Sequence, residues 1–314
     1  MTPSAEILDE ALEVSQSTKS KEKTPLEAIS HGNVLPDIPT FPTFKEHRRH
    51  ILTHTAATFR YFARQNYVEG QSGHISVRDP EFPNLMWMNP LSRHFGMLTA
   101  GDMLCIDISS GEIVGGAPNP TTGGRTVNMA GYYIHSAVHL RRPDIHAICH
   151  AHGISGRAWS VFGRPLDMLT QDVCNFHGIL AVYDAYDGIV FGPQEGINIA
   201  EALGSSNKAA ILMNHGLLTC GETVDEAGFM FGLLERSCEI QLQTEAAAAN
   251  GIPKKIITDE EAAYNFKMAS EKNALYREAQ PDIEFEFFLA GGEEVLARGF
   301  NKLTLPNGVD STSK

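Results

Sequence analysis

The sequence has little of what marks a membrane or nucleic-acid-binding protein. No apolar run approaches the roughly 18 residues of a membrane-spanning helix, and the first residues carry no basic segment followed by an apolar one, as a secretory signal would. Basic residues are outnumbered, because 25 Lys and Arg stand against 38 Asp and Glu and give a net charge of -13. This balance disfavours nucleic acid and anionic membranes as partners. We expect a cytoplasmic protein that binds small molecules or other proteins.

Paired cysteines are also missing. The cysteines are odd in number, show no Cys-x-x-Cys spacing and lie mostly in apolar runs; they are Cys105, Cys149, Cys174, Cys220 and Cys238. Such residues are typical of a reduced protein core, which indicates a reducing compartment.

Signatures of nucleotide binding and covalent catalysis are absent as well. Residues 115–126 form a loop rich in glycine and proline, but the loop has no Gly-Lys-Ser/Thr and does not fit the dinucleotide fingerprint. No Ser/His/Asp or Schiff-base lysine signature is recognisable. A nucleotide-dependent reaction or a covalent nucleophile is therefore disfavoured.

The composition changes along the chain and predicts three parts. Residues 1–43 contain a Ser/Lys/Glu stretch and several prolines, with too little apolar surface to offset the entropy of ordering, so we expect a mobile N-terminal arm that can pack at its proline end. Residues 44–280 show no repeat and no linker and are predicted to form one domain. Residues 281–314 form an acidic, aromatic C-terminal tail, whose alternation at 283–288 predicts an edge strand that packs on the domain or on a neighbouring subunit.

Hydrophobic periodicity within the central part predicts an α/β domain. Long helices are expected at 44–67, 127–142 and 224–249, and short strands at 73–78, 85–88, 103–107 and 209–213. The first helix carries His47, His50 and His54 on one face. Because arginines are interleaved with them and no carboxylate is near in the sequence, we expect this face to be solvated surface and not a ligand set.

Histidines close two buried stretches of the chain. Residues 143–153 read as a buried strand that ends in His150-x-His152, and side chains two apart leave a strand on the same face. His215 follows the buried stretch 209–213, just before a glycine. Three imidazoles from two strand ends can bind zinc or another first-row divalent ion and leave coordination positions open. The spacing alone leaves hydrogen-bonded core histidines as an equal alternative.

A second pair, His135 and His139, is spaced four apart on a predicted helix. The zinc-protease pattern needs a glutamate directly after the first histidine, and Ser136 stands there instead. Packing or capping roles are favoured for this pair. His135 can still line the pocket and support the metal ligands from behind.

Several motifs, taken in order, resemble the class II aldolase/adducin family, nearest to its adducin-like branch of fungi and bacteria. They are Gly73-His74-Ile75-Ser76-Val77-Arg78-Asp79-Pro80, Asn89-Pro90, Ala130-Gly131-x-x-x-His135-Ser136-Ala137-x-His139 followed by Arg142-Pro143-Asp144, His150-x-His152 and Asn214-His215-Gly216-Leu217-Leu218. The likeness spans about residues 44–279.

The resemblance implies a three-layer α/β/α fold with a central, mostly antiparallel sheet, assembled as a homotetramer with active sites at subunit contacts. It also implies that His150, His152 and His215 match the zinc-binding histidines of the aldolases. In those enzymes the ion holds the two oxygens of an enediolate. Charge stabilisation of that kind needs no covalent nucleophile.

Two departures from the sugar-phosphate aldolases bear on the reaction. The position of their catalytic glutamate falls on Gly131, which cannot exchange protons. Their phosphate-binding turns are also replaced, so we expect a substrate that carries a carboxylate or no phosphate. His74, Ser76 and Arg78, which share one face of a strand, are the predicted substrate-binding residues.

Another group must replace the missing glutamate if the chain is an enzyme. Asp172 ranks first, because a carboxylate before an apolar run can be partly buried at a strand entry, although a cap or turn role is the stronger alternative for it. His177 and Tyr183 are the next candidates by chain order.

The leading hypothesis is a divalent-metal-dependent lyase that acts on a small carbonyl- or carboxyl-bearing substrate, by aldol cleavage or decarboxylation through a metal-stabilised enolate. Zinc is the expected ion, with iron and manganese as alternatives. An iron-dependent oxygenase on the same fold and a catalytically silent, adducin-like module are the competing hypotheses. The complete histidine triad and the acidic tail make binding to the actin cytoskeleton the weaker expectation.

Overall fold

The computed structural model describes residues 23–186, 188 and 192–305. Within them, eight strands form one sheet in the order β4-β3-β2-β1-β5-β8-β7-β6. The strands are β1 (His74–Arg78), β2 (Leu85–Met88), β3 (Leu104–Asp107), β4 (Ile113–Gly116), β5 (Ala147–Ala151), β6 (Leu180–Tyr183), β7 (Ala209–Leu212) and β8 (Gly216–Gly221). All neighbours pair antiparallel except β6 and β7. The predicted mostly antiparallel sheet is confirmed.

Helices cover both faces of the sheet. They are α1 (Pro25–Ile29), α2 (Phe44–Arg64), α3 (Met129–Arg141), α4 (Ile154–Ser160), α5 (Pro193–Leu203), α6 (Val224–Ala249), α7 (Asp259–Ala269), α8 (Lys272–Ala290) and α9 (Glu293–Leu296). The larger core lies between one sheet face and α2 and α6, and a second core lies between the other face and α3 and α5. The chain therefore has the predicted three layers.

The two longest helices begin where the sequence places a capping threonine. Thr43 Oγ accepts a hydrogen bond from the Glu46 amide at 3.2 Å, and Thr223 Oγ accepts one from the Glu226 amide at 3.1 Å. Such caps satisfy amides that have no partner inside the helix. The predicted starts of both helices are confirmed.

The cysteines described above are all free and buried, as predicted. Among the described helices, none is long and apolar enough to cross a lipid bilayer.

Strand β1 positions the residues that matter for the site. It lies between β2 and β5, and His74 pairs in register with His150. Because side chains alternate along a strand, His74, Ser76 and Arg78 point to the face that α3 covers. The same face carries His150.

The histidine face of α2 differs from the prediction of a solvated surface. His54 is 6% exposed and His50 is partly buried. The reason is a long-range contact: His54 Nδ1 lies 2.6 Å from a carboxylate oxygen of Asp225, in the first turn of α6. No local sequence pattern shows a carboxylate that arrives from 171 residues along the chain.

The C-terminal tail begins as a helix, so the expected edge strand is wrong. Helix α8 spans residues 272–290 and continues through residue 281, and the Glu271 carboxylate caps it by accepting from two amides. Its buried positions Leu275, Ala279 and Ile283 recur every four residues and pack toward α2 and α6. The aromatic alternation at 283–288 is compatible with either structure, and the helical spacing upstream decides it.

Part of the predicted mobile arm packs on this helix. Arg277 Nη2 donates to the Asp37 carbonyl at 2.6 Å, and Asn273 Oδ1 accepts from the Ile38 amide at 3.0 Å. Residues 1–22 lie outside the described residues, and for them the mobile arm stays a prediction.

Candidate metal site

Three histidines converge where strands β5 and β7 end and β8 begins. His150 lies on β5, His152 follows one residue after its end, and His215 occupies the turn between β7 and β8. Each offers a ring nitrogen, and these nitrogens lie within 4.8 Å of one another. The ring planes meet at 70° to 89°, so the imidazoles face a common point from different directions. The structure brings together the predicted ligands.

The surroundings of two of these imidazoles suit the binding of a metal ion. His150 Nδ1 donates to the Leu217 carbonyl at 2.8 Å, so the neutral ring keeps its lone pair on Nε2. His215 Nδ1 is buried and has no hydrogen-bond partner among the described residues. A buried nitrogen without a partner is costly unless an ion or water satisfies it. The residues therefore fit a divalent cation.

Burial keeps the three imidazoles neutral. It lowers the pKa of His150 well below the usual value and that of His215 to about 4, and neighbouring histidines add to both effects. Burial also lowers the pKa of His152, to which the positive charge of Arg157 contributes. Neutral imidazoles are the form that binds a metal ion.

The triad opens into a cavity of about 410 Å³. The residues that line it besides the triad are Ser72, Gly73, His74, Asn128, Ala130, Ile134, Arg157, Tyr186, Gly188 and Asn214. The volume suits a small organic molecule next to the triad. Arg157 was missed by the sequence reasoning, although its place one turn into the helix that follows His152 could have indicated it.

His74 occupies the space in which a side chain at residue 131 would lie. A Cβ atom placed on Gly131 would fall 2.4 Å from His74 Cδ2 and 2.7 Å from its Nε2. The ring also stacks on His150, with centroids 4.9 Å apart. The position of the His74 ring therefore depends on Gly131: the ring can lie beside the triad because residue 131 has no side chain.

A chain of buried hydrogen bonds runs from His74 under helix α3. His74 Nδ1 lies 2.8 Å from His135 Nε2, and His135 Nδ1 lies 2.7 Å from Ser76 Oγ. Ser76 Oγ in turn lies 2.9 Å from His139 Nε2. All four residues are buried. The i, i+4 pair on α3 thus sits over alternate residues of β1.

The far end of this chain sets its direction. His139 Nδ1 lies 3.3 Å from the Ile145 carbonyl, which can only accept, so Nδ1 is the donor. Arg78 Nη2 lies at the same distance from Nδ1, but it donates at 2.8 Å to the His139 carbonyl. Each neutral ring then donates through one nitrogen and accepts through the other. His74 consequently donates through Nδ1 and presents the lone pair of Nε2.

The three predicted substrate-binding residues separate in the structure. His74 lines the cavity, whereas Ser76 is fully buried within the hydrogen-bonded chain. Arg78 lies at the other end of β1 and donates to the Pro83 and His139 carbonyls. Each step of two residues moves about 6.6 Å along a strand, so a shared face does not mean a shared pocket.

The two remaining predicted residues, His135 and Asp172, lie in different parts of the structure. His135 lies behind His74, where it contacts a pocket residue and not the triad. Asp172 is exposed at the start of a 3₁₀ helix (Asp172–Phe176) that packs on α7, and it does not line the triad cavity. Within one chain, the structure does not bring Asp172 to the candidate metal.

Comparison with known proteins adds family relationships to this geometry. A family model described as "Class II Aldolase and Adducin N-terminal domain" matches residues 53–242. Over 219 residues the chain is 40% identical to decarboxylase NovR of Streptomyces niveus, covering 69% of this chain and 77% of that protein. It is equally similar, over 220 residues, to a 4-hydroxy-3-prenylphenylpyruvate oxygenase/4-hydroxy-3-prenylbenzoate synthase of Streptomyces roseochromogenus, with 69% and 76% covered.

Among solved structures, an L-fuculose 1-phosphate aldolase from Glaciozyma antarctica superposes with a TM-score of 0.72 at 37% identity. The match covers 81% of this chain and 95% of the aldolase. The region matched by the family model contains all three histidines of the triad.

Proposed function

Because the chain belongs to the class II aldolase and adducin family, we propose that it is a divalent-metal-dependent lyase acting next to a carbonyl or carboxyl group. The observation that carries this proposal is the set of three neutral imidazoles around one point, which opens into a cavity large enough for a substrate. The reaction is aldol cleavage or decarboxylation.

His150, His152 and His215 would hold the ion. Three nitrogen ligands suit zinc best and also accept iron(II) or manganese(II). When bound, the ion stabilises negative charge that develops on a substrate oxygen. The orphaned Nδ1 of His215 and the oriented ring of His150 support this ligand set.

His74 is the residue that we propose in place of the missing glutamate. Its Nε2 presents a lone pair beside the triad, in the space that a side chain at residue 131 would take. In aldol cleavage, Nε2 takes the proton from the hydroxyl group of the substrate and later returns it to carbon. His135 Nε2 accepts from the other nitrogen of His74 and so stabilises the positive ring that forms.

Arg157 and Asn128 suit the polar end of a substrate that carries a carboxylate. Arg157 lines the cavity and is held by the Gly153 carbonyl at 3.3 Å and by Glu69 at 3.1 Å. A guanidinium can bind a carboxylate through two parallel hydrogen bonds. The relatives named as a decarboxylase and as an enzyme of a phenylpyruvate agree with a 2-oxo acid or aromatic acid as substrate.

An iron-dependent oxygenase is the second candidate, since one of the relatives is named as an oxygenase. Three protein nitrogens leave positions open at an iron(II) ion, as oxygen chemistry requires. Measuring whether product formation consumes oxygen distinguishes the two candidates.

We further propose that the protein is a cytoplasmic homotetramer, as expected from the family resemblance, and gel filtration tests the assembly.

The test uses metal-free protein reconstituted with zinc, manganese or iron(II) and assayed on 2-oxo acids, hydroxyaromatic acids and aldols. We expect turnover with at least one ion and a loss of about 10³-fold or more in His150→Ala/His152→Ala, because the Lewis acid contributes several kcal/mol. His177→Ala is the matched control, because His177, a candidate base by chain order, does not line the triad cavity and is paired with exposed Asp259. Turnover by metal-free protein, or by the double variant, would refute the proposal.

A further inference from the structure

A second group of metal-ligating side chains lies outside the triad. His50 and His54 are one turn apart on α2, and Asp225 stands in the first turn of α6. Each offers one ligand atom, and these atoms lie within 4.8 Å of one another. Histidines at i and i+4 on one helix face with a carboxylate from a second element form a ligand set that zinc accepts.

Hydrogen bonds fix the positions of Asp225 and His54 but leave other nitrogen and oxygen atoms of the group without a hydrogen-bond partner among the described residues. Asp225 Oδ1 accepts from Gln280 Nε2 at 3.0 Å and lies 2.6 Å from His54 Nδ1. No described residue makes a hydrogen bond to a ring nitrogen of His50, although its ring packs 3.8 Å from that of His54. The second oxygen of Asp225, the other nitrogen of His54 and both nitrogens of His50 have no partner in the described structure.

Two members of the group, His50 and Asp225, line a separate cavity of about 260 Å³, and His54 is buried behind them. This cavity is lined by Arg78 and Ala147, whereas the triad cavity is lined by His74 and His150 at the opposite ends of the same two strands. An ion can therefore reach the second group without passing through the triad. The two places are separated by the length of β1.

The charges around this group favour a cation. Asp225 is a buried carboxylate whose position is fixed by Gln280 and His54. Glu222 in the cavity wall is paired with Lys272, and Arg78 lies in the same wall, so Asp225 is the charge that would attract an ion.

We infer that His50, His54 and Asp225 form a second binding site for a divalent transition-metal ion, with zinc as the best match. Its role is structural, because the ion would tie the N-terminal half of α2 to the start of α6. Two of its three ligand residues, His54 and Asp225, are buried, and Gln280 and Phe287 contact them from α8. The inference does not depend on the reaction proposed above.

Zinc content of the full-length protein tests this inference. Metal-free protein is incubated with excess zinc, passed through gel filtration and analysed for zinc per chain. We expect two equivalents in the wild type, one in His50→Ala and one in His150→Ala/His152→Ala. His47→Ala, which alters another histidine of the same helix and the same cavity wall, is the matched control and should retain two.

Thermal unfolding gives a second readout that does not need activity. In His150→Ala/His152→Ala, zinc should still raise Tm, because an ion that binds only the folded chain stabilises it. Adding His50→Ala to that variant should abolish the shift. A wild type that holds one zinc, or a triad variant that holds none and shows no shift, would overturn the second site. Failure of the proposed reaction would instead show as absent turnover with both zinc ions in place.

Discussion

The two histidine groups lie near opposite ends of the same pair of strands, and they differ in what surrounds them. The triad is built from a strand end and a turn and opens into a cavity of about 410 Å³. The group on α2 is built from a helix face, includes the carboxylate of Asp225 and is packed by α8. Three ligands leave a coordination position open in either group, and the larger space beside the triad is the one that better suits a substrate.

The difference also shows in the neighbours that can exchange protons. Beside the triad lies His74, which is connected through His135 and Ser76 to a chain of buried hydrogen bonds. The group on α2 has no comparable chain among the described residues. We therefore assign proton transfer to the triad side alone, and the following predictions test that assignment.

The largest effect is expected from His74→Ala. Loss of a positioned acid or base typically costs about 10²- to 10⁴-fold in rate, and turnover should fall by that factor while both zinc equivalents remain bound. Steady-state kinetics and zinc analysis of the same sample measure this. His146→Ala, in the wall of the other cavity, is the control and should stay close to wild type. Unchanged turnover in His74→Ala would break the assignment.

The next largest predicted effect is a pH dependence of stability that arises from Glu235, on the triad side of the molecule. Glu235 is buried against α4, where its Oε2 accepts from the Gly156 amide at 3.0 Å and its Oε1 has no described partner. Burial raises the pKa of this carboxyl to about 7 from the usual 4.5, while Arg157 opposes the shift. Asp225 shows the opposite behaviour, since its pKa is lowered.

The sign follows from the raised pKa. The folded chain holds the Glu235 proton more tightly than the unfolded chain, so this stability is fully present below pH 4.5 and is lost as the pH rises through about 7. The loss amounts to about 3 kcal/mol. Buried histidines with lowered pKa values change stability in the opposite direction over the same pH range, so the test compares variants. In urea unfolding, the stability of the wild type relative to Glu235→Gln should fall by about 2.5 kcal/mol between pH 5 and pH 8. The exposed control Glu239→Gln should show no such change relative to the wild type, and a constant difference for Glu235→Gln would contradict the raised pKa.

Much of the triad side could be predicted from the sequence, and the physical reason is locality. His150 and His152 are two apart at the end of an apolar run, so strand alternation alone places them on one face. His215 closes a similar run. The family resemblance then joins the two strand ends, which residue spacing cannot do.

The other features depend on contacts between distant segments. The α2 group needs Asp225, and the partnership of Ser76 with His139 exists only because α3 packs across β1. The role that we propose for His74 could not be predicted for the same reason. Gly131 gave a signal, since a glycine at a position expected to carry a catalytic side chain leaves room for another residue, but the sequence could not say which residue fills it.

The smallest predicted effect tests that pairing directly. In Gly131→Ala the new methyl carbon would lie 2.4 Å from His74 Cδ2, a distance that two carbon atoms cannot tolerate. The ring must shift, and overpacking of this kind costs about 1–3 kcal/mol. Turnover should fall by about 10- to 100-fold if the shift moves Nε2 away from the substrate. Gly124→Ala is the matched control, because its nearest contact would be Thr122 Oγ at 3.6 Å. If Gly131→Ala loses stability but keeps full turnover, then the position of His74 does not matter for the reaction, and the triad side would resemble the α2 group as a purely metal-binding region.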